Sequence, residues 1–356
     1  MTSGNPPTIC LIPGDGIGSE VVFAAAECLA SLGLNLRFSE AQAGFDWFKT
    51  SGNAIPDETL ANIETAGIAL FGANSSPSTQ VQGYKSPILF MRKTFDLYAN
   101  LRPVFSLPGG FSRPGINLLI VRENTEGLYA GRERREGDTA IAERIITRNA
   151  SLRIARIAFE QAKNHPYTQV FQKYLHLPTR QESLVTVVHK ANVLKLTDGL
   201  FREACLQVAS EFPELSMNEL LVDAAAMRLI RDPENFDTIV TTNLFGDILS
   251  DEASALMGGL GVAPSANLGK KIAIFEPVHG SAPDIAGLGI ANPLGAIFSS
   301  VMLLEFIGLS DAAARLTSAV YLTLLEEVMT QDLGGSATTS QVTHRIISNI
   351  KSHLIN

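Results

Sequence analysis

Residues 238–259, TIVTTNLFGDILSDEASALMGG, restrict the fold of this chain more than any other stretch. The β-branched run Thr238-Ile239-Val240-Thr241-Thr242 suits a buried strand, and residues 243–246 then turn into a helical pattern expected to begin near Asp247. Asp247 and Asp251 lie four apart, so a helix puts both carboxylates on one face. Their repulsion becomes binding if a divalent cation sits between them. With only oxygen donors at hand, that cation is a hard one, Mg²⁺ or Mn²⁺. The alternative is that acids in a first helical turn merely complement the helix dipole.

Strand and helix patterns alternate along the rest of the chain, as in an α/β protein with a mostly parallel sheet. A strand at 8–12 runs into Pro13-Gly14-Asp15-Gly16-Ile17-Gly18, whose glycines are spaced G-x-G-x-G and so do not form the G-x-G-x-x-G dinucleotide fingerprint. A polar loop at 74–83 precedes a helical pattern that carries Arg92 and Arg102 and stops at Pro103. Each arginine taken alone reads as a surface cation. The apolar strand 116–121 ends at Arg122, with Tyr129 just beyond, on the strand edge where α/β sheets collect ligands. Arg132 to Arg135, with Glu136 and Asp138, read as a solvated face. A helix at 150–163 leads to an irregular aromatic-bearing segment at 164–183, and a strand at 184–188 delivers His189, Lys190 and Asn192. Lys190 is either a surface residue or, beside a metal, a base with a lowered pKa. The strand 220–222 delivers a third carboxylate, Asp223.

Composition closes off other classes. At 356 residues there is room for about two domains, and 36 acidic against 28 basic side chains argue against nucleic acid or an anionic membrane as partner. Cys10, Cys28 and Cys205 are odd in number and lack metal-ligand spacing, so reduced, buried thiols of a cytoplasmic protein are expected. The first residues carry no signal-peptide pattern, and no apolar run is long enough for a bilayer.

Five stretches in order, RKTFDLYANLRP, VRENTEGLY, HKANVLKLTDGLF, NLFGDILSD and EPVHGSAPDIAGLGIANP, closely resemble the β-decarboxylating dehydrogenases that oxidise isocitrate, homoisocitrate or 3-isopropylmalate. The likeness runs from the 12–18 turn to DLGGSATT at Asp332, nearly the whole chain. It implies an isopropylmalate/isocitrate dehydrogenase-like fold, two α/β domains with a cleft between them rather than the common Rossmann fold. Residues 1–103 and 259–356 would form the large, cofactor-binding domain, and 104–258 the small domain with the dimer interface. The implied assembly is a homodimer or homotetramer with active sites shared between subunits.

The resemblance also implies roles. Mg²⁺ or Mn²⁺ is held by Asp247 and Asp251 of one subunit and Asp223 of the other; Lys190 acts across the interface as base or as the group that tunes it; Tyr129 protonates the product enol. Arg92, Arg102 and Arg122 clamp the carboxylates of a hydroxy-di- or tricarboxylate, with Asn192 assisting from the partner. For the cofactor the implied residues are Asn74, Glu276, His279, Gly280, Ser281, Ala282, Pro283, Asp284, Ile285 and Asn292. A carboxylate at Asp284 accepts from a free ribose 2′-hydroxyl and repels a 2′-phosphate, which points to NAD.

Substrate identity rests on residues just before Arg92. YKSPI is most similar to homoisocitrate dehydrogenases, with Ile88 and Leu89 lining an extra methylene and Lys85 and Ser86 meeting the distal carboxylate; Lys85 reads equally as a solvated side chain. Homoisocitrate, giving 2-oxoadipate and CO₂, is the expected substrate. Isocitrate, giving 2-oxoglutarate, is the alternative, alone or as a second substrate, with 3-isopropylmalate behind both. A noncatalytic regulatory subunit is the reading from another class, and retention of Tyr129, Lys190, Asp223, Asp247 and Asp251 argues against it. The 164–183 segment is longer than in the relatives compared and reads as a lid, an oligomer contact or neither.

Overall fold

A computed structural model describes residues 6–77, 79, 81–175, 177 and 183–352. Its strands are β1 (Thr8–Gly14), β2 (Arg37–Glu40), β3 (Ile68–Ala73), β4 (Ala99–Phe105), β5 (Asn117–Glu123), β6 (Glu133–Glu136), β7 (Thr139–Ala142), β8 (Leu184–His189), β9 (Ser216–Leu221), β10 (Thr238–Thr241), β11 (Pro264–Leu268) and β12 (Ala273–Pro277). Ten of them form one sheet in the order β2-β1-β3-β12-β11-β4-β5-β10-β8-β9, and β6 and β7 make a separate exposed hairpin. Pairing is parallel at both ends of the large sheet and antiparallel only where β11 meets β12 and β4, and where β4 meets β5. The strands from residues 8–105 and 264–277 thus fill one side, and those from residues 117–241 the other.

Burial on both faces explains the uninterrupted apolar strands. One core runs from Ile9 through Leu101 and Ile120 to Val187 and Ile239, covered by helices such as Leu294–Phe306, whose apolar residues lie all round its axis. A smaller cluster with Phe71, Ile88 and Met91 closes the opposite face of β1, β3 and β12. The three cysteines are free and buried, as expected. Among the described residues no helix is long and apolar enough to cross a membrane.

Several expectations change. The helix carrying Arg92 is Pro87–Thr94, and Arg102 stands on β4. Pro103 does not end a helix there; β11 pairs only with Ala99–Leu101, so Pro103 occupies a stretch with one open edge, where a missing N–H is tolerated. The helix bearing the two aspartates is Asn243–Ser254, starting four residues before Asp247 and leaving no acid in its first turn. That removes the dipole explanation for them, because the effect fades beyond the first turn. Asp223 sits in the first turn of Val222–Arg231, past the end of β9. Within 164–183, Pro166–Tyr174 is a helix whose fully buried Phe171 stacks on Phe105 at 4.1 Å and meets Phe298 edge-on at 5.7 Å. This part is built into the core and is no lid; residues 176 and 178–182 lie outside the described residues.

Candidate active site

Strand register brings Arg102 and Arg122 together, and the Pro87–Thr94 helix adds Arg92. Asn100 on β4 pairs with Arg122 on β5, and Arg122 in turn with Thr241 on β10, at the end from which the 243–254 helix departs. That helix crosses directly over the Arg122 side chain. A Cβ at Gly246 would meet Arg122 Cβ at 2.7 Å, so only glycine permits the approach.

Arg122, 1% exposed, donates through Nε and Nη2 to Asn243 Oδ1 at 3.2 and 2.8 Å and through Nη1 to Asp247 Oδ1 at 2.5 Å. Arg102 donates to Asn100 Oδ1 (2.9 Å), Ser250 Oγ (2.6 Å) and Asp251 Oδ1 (2.9 Å), and its Nη2 lies 3.5 Å from Asp247 Oδ1. Arg92 donates to Asn267 Oδ1 at 3.1 Å and to Glu276 Oε1 at 3.0 Å. The Tyr129 hydroxyl, in a short turn after β5, donates to Asp247 Oδ2, and its ring lies 5.1 Å from the Arg122 guanidinium.

Burial and crowding shift these groups in different directions. Desolvation, and then the neighbouring Arg102 and Arg92, push the Arg122 guanidinium well below its usual range. Burial alone would raise Asp247, but Arg122 and Arg102 outweigh it and hold the carboxyl below the ordinary carboxylate value. Asp251 goes up, chiefly by burial and further by the charge on Asp247. Tyr129 is raised by burial and by its hydrogen bond to Asp247, so its phenol keeps its proton at neutral pH. Three crowded guanidinium groups favour anions with several carboxylates.

These side chains line a cleft of about 240 Å³. Arg92, Arg102, Arg122, Tyr129 and Asp247 line it together with Asn74, Ile88, Glu276, His279 and Gly280. Leu89 packs against the smaller core cluster and is not among the lining residues, and Lys85 is exposed. Ser86 Oγ accepts from Asn74 Nδ2 at 3.3 Å, while Tyr84 donates to Asn74 Oδ1 at 3.2 Å.

The residues expected to hold a cofactor divide by role. Among the described residues His279 Nε2 has no partner, and this buried polar atom beside the cleft fits a polar ligand there. Asp284 and Pro283 are exposed, and Ala282 and Ile285 pack partly on the core. Ser281 and Asn292 already serve the loop itself. Ser281 O accepts from Ile17 N at 2.9 Å and its hydroxyl from Ser75 Oγ at 2.9 Å, while the Asn292 amide joins Asp332 Oδ2 at 2.9 Å and Leu294 N at 3.0 Å. The loop is thereby bolted to the glycine turn at 13–18.

Lys190 and Asp223 lie apart from the arginines in this single chain. Lys190 Nζ donates to the largely exposed Asp223 carboxylate, which that hydrogen bond pulls below its usual value. The Lys190 backbone N–H donates to Asp198 Oδ2 at 2.6 Å; the fully buried Asp198 pairs with Arg144, and Arg144 donates to Thr242 Oγ1 at 2.8 Å. Asn192 is exposed, and large apolar side chains that stand in solvent, Val193, Leu196, Met227, Ile230 and Ile248, share these loops and helices. Asp247 and Asp251 supply two oxygen-donor carboxylates, and among the described residues no group of three or more metal-ligating side chains forms within one chain. Asp247 and Asp251 would give a hard divalent cation two of its oxygen ligands.

Sequence reading missed a supporting layer. Buried Asp15 accepts from Phe45 N, Asp46 N and Ser75 N at 2.9, 2.9 and 2.8 Å, tying the start of the Phe45–Ser51 helix and the loop after β3 to the glycine turn. Asn100, Asn243, Ser250 and Asn267 orient the arginines. Asn243 and Ser250 at least fall inside the aspartate motif; a single polar residue within PSANL gives no such signal.

The sequence matches the family model described as isocitrate/isopropylmalate dehydrogenase over residues 8–346. An isocitrate/homoisocitrate dehydrogenase of Thermus thermophilus is 50% identical over 344 residues, covering 97% of this chain and 98% of that one. A 3-isopropylmalate dehydrogenase of Methanothermobacter thermautotrophicus is 48% identical over 344 residues, covering 96% and 98%. Among solved structures, isocitrate dehydrogenase from Methylococcus capsulatus superposes with a TM-score of 0.89 at 40% identity, covering 97% of this chain and 99% of that one.

Proposed function

The chain belongs to the isocitrate/isopropylmalate dehydrogenase family, whose members are β-decarboxylating dehydrogenases, and from that premise we propose that it oxidises homoisocitrate with NAD⁺ to 2-oxoadipate and CO₂. Isocitrate is the alternative substrate, and the Thermus relative, which carries both names, favours keeping it. The observation that carries the reading is the convergence of Arg92, Arg102 and Arg122 on one cleft with Tyr129 and Asp247, Asp251 being held against Arg102.

Each residue then has a task. The arginines bind the carboxylates of the acid. Asp247 and Asp251, with Asp223 of a second copy, would hold Mg²⁺ or Mn²⁺. Bound there, the ion supplies Lewis acidity that acidifies the substrate hydroxyl and polarises the ketone as CO₂ leaves. Lys190 of the second copy takes or tunes the hydroxyl proton. NAD⁺, held beside the cleft, would supply the acceptor for the hydride of the hydroxyl-bearing carbon. Tyr129, its proton retained, returns one proton to the carbon that loses CO₂, so proton release and uptake balance. Exposed Asp284 supports NAD over NADP, since nothing among the described residues occupies its carboxylate.

Two further expectations belong here. The division into domains 1–103 with 259–356 and 104–258 follows the two sides of the sheet, with β4 at the seam. A homodimer is supported by the exposed apolar side chains around Lys190 and Asp223, an arrangement that leaves a lone chain with unburied apolar surface.

Substrate choice is the finest claim. Ile88 at the cleft wall suits one extra methylene, a difference worth only about 1–3 kcal/mol, so homoisocitrate and isocitrate are both turned over. Comparing kcat/KM for homoisocitrate, isocitrate, 3-isopropylmalate and malate under NAD⁺ and NADP⁺ tests it. Homoisocitrate with NAD⁺ should rank first; a dominant 3-isopropylmalate rate overturns the assignment.

A further inference from the structure

We propose that Asn267 is the positioning residue that locks the substrate-side arginines to the cofactor-side carboxylate Glu276, so that acid and nicotinamide cofactor bind with mutual dependence; this rests on the functional reading above. Asn267 is fully buried on β11, in register with Asn100 on β4, while its neighbour Ser265 pairs with Glu276 on β12. Its Oδ1 accepts three donors, Arg92 Nε at 3.1 Å, Asn100 Nδ2 at 3.1 Å and Asn124 Nδ2 at 2.9 Å. Its Nδ2 donates to Glu276 Oε1 at 2.7 Å and to Ile274 O at 3.3 Å.

The connections close a ring. Arg92 touches Asn267 through Nε and Glu276 through Nη2 at 3.0 Å, and Asn267 donates to the same Glu276 oxygen. A second arm runs through Asn100, which accepts from Arg102 Nε at 2.9 Å. Only a planar amide serves here, because one group must accept on one side and donate on the other. An aspartate would discharge Arg92 and face Glu276 as a like charge; a leucine would strand three buried donors. A neutral amide fixes the guanidinium groups without adding a charge of its own. Because one Glu276 oxygen accepts from both Arg92 and Asn267, a shift on either side of the ring strains the other, so filling one half of the cleft biases the other.

Initial rates over a grid of acid and NAD⁺ concentrations give the factor by which one ligand tightens the other. In the wild-type enzyme that factor should fall within the range of roughly 5 to 150 usual for coupled sites. In Asn267→Ser and the isosteric Asn267→Asp it should drop toward one, with the acid KM rising about tenfold and kcat falling less. A purely structural role would lower thermal stability and leave the factor unchanged. Glu276→Gln reads the same link from its other end if the Asn267 variants do not fold, and it too should lose the coupling. A wild-type factor of one, or a wild-type factor kept by any folded variant, overturns the inference. A wild-type chain that forms no NADH from any of the acids defeats the functional reading instead.

Discussion

Tyr129 and Asp251 show how one cleft assigns opposite protonation duties. With its proton held by burial and by Asp247, Tyr129 is suited to give a proton late in the reaction. Tyr129→Phe should therefore reduce kcat by roughly 10²–10⁴-fold, the usual scale for general acid–base catalysis, with KM for the acid nearly unchanged in steady-state assays. Asp251 binds its proton more tightly than an ordinary aspartate, whereas Asp247 binds its own less tightly. Falling pH thus protonates Asp251 first and Asp247 only later, below the usual carboxylate range. Manganese titrated against the protein should lose affinity as pH falls through the raised Asp251 value, each ion bound there displacing one proton, while the fold persists. An affinity that stays flat until the chain unfolds would count against these ligands.

At the level of elements, the Pro166–Tyr174 helix and the Arg144–Asp198 pair are the parts with most consequence. Phe171 joins that helix to β4 and to the Leu294–Phe306 helix, so Phe171→Ala should cost about 3–5 kcal/mol in denaturant unfolding and leave KM alone. Asp198 has no exposure, and Arg144→Met leaves its charge uncompensated, a loss of about 3–5 kcal/mol that the double variant with Asp198→Leu should largely recover.

These same elements mark what sequence reading reaches. The β-branched run before Asn243 and the spacing of Asp247 and Asp251 announce a strand, a helix and a shared face, and the structure forms all three. Arg102 reads as helical because MRKTFDLYANLRP keeps a helical spacing of apolar residues past the end of the helix at Thr94 and into β4. Phe171 reads as irregular because Pro166 breaks the pattern of the preceding helix and nine residues are too few turns to announce another. Asn267 is silent because burial hides the difference between a spaced polar residue on a solvated strand face and one that organises a site.

For the whole molecule, the unburied apolar side chains around Lys190 and Asp223 make a second copy part of the account. Met227→Asp should shift the sedimentation coefficient toward a monomer and abolish turnover together. Mixing inactive Lys190→Ala and Asp247→Asn chains should restore a fraction of activity, since a hybrid pair contains one intact site.

The central claim is that the cleft removes a hydride and then CO₂ from one bound hydroxy acid. NADH and CO₂ measured together from homoisocitrate with Mn²⁺ present should appear one for one, and both should stop on addition of a chelator. NADH without CO₂, or formation of both that a chelator leaves untouched, would contradict it.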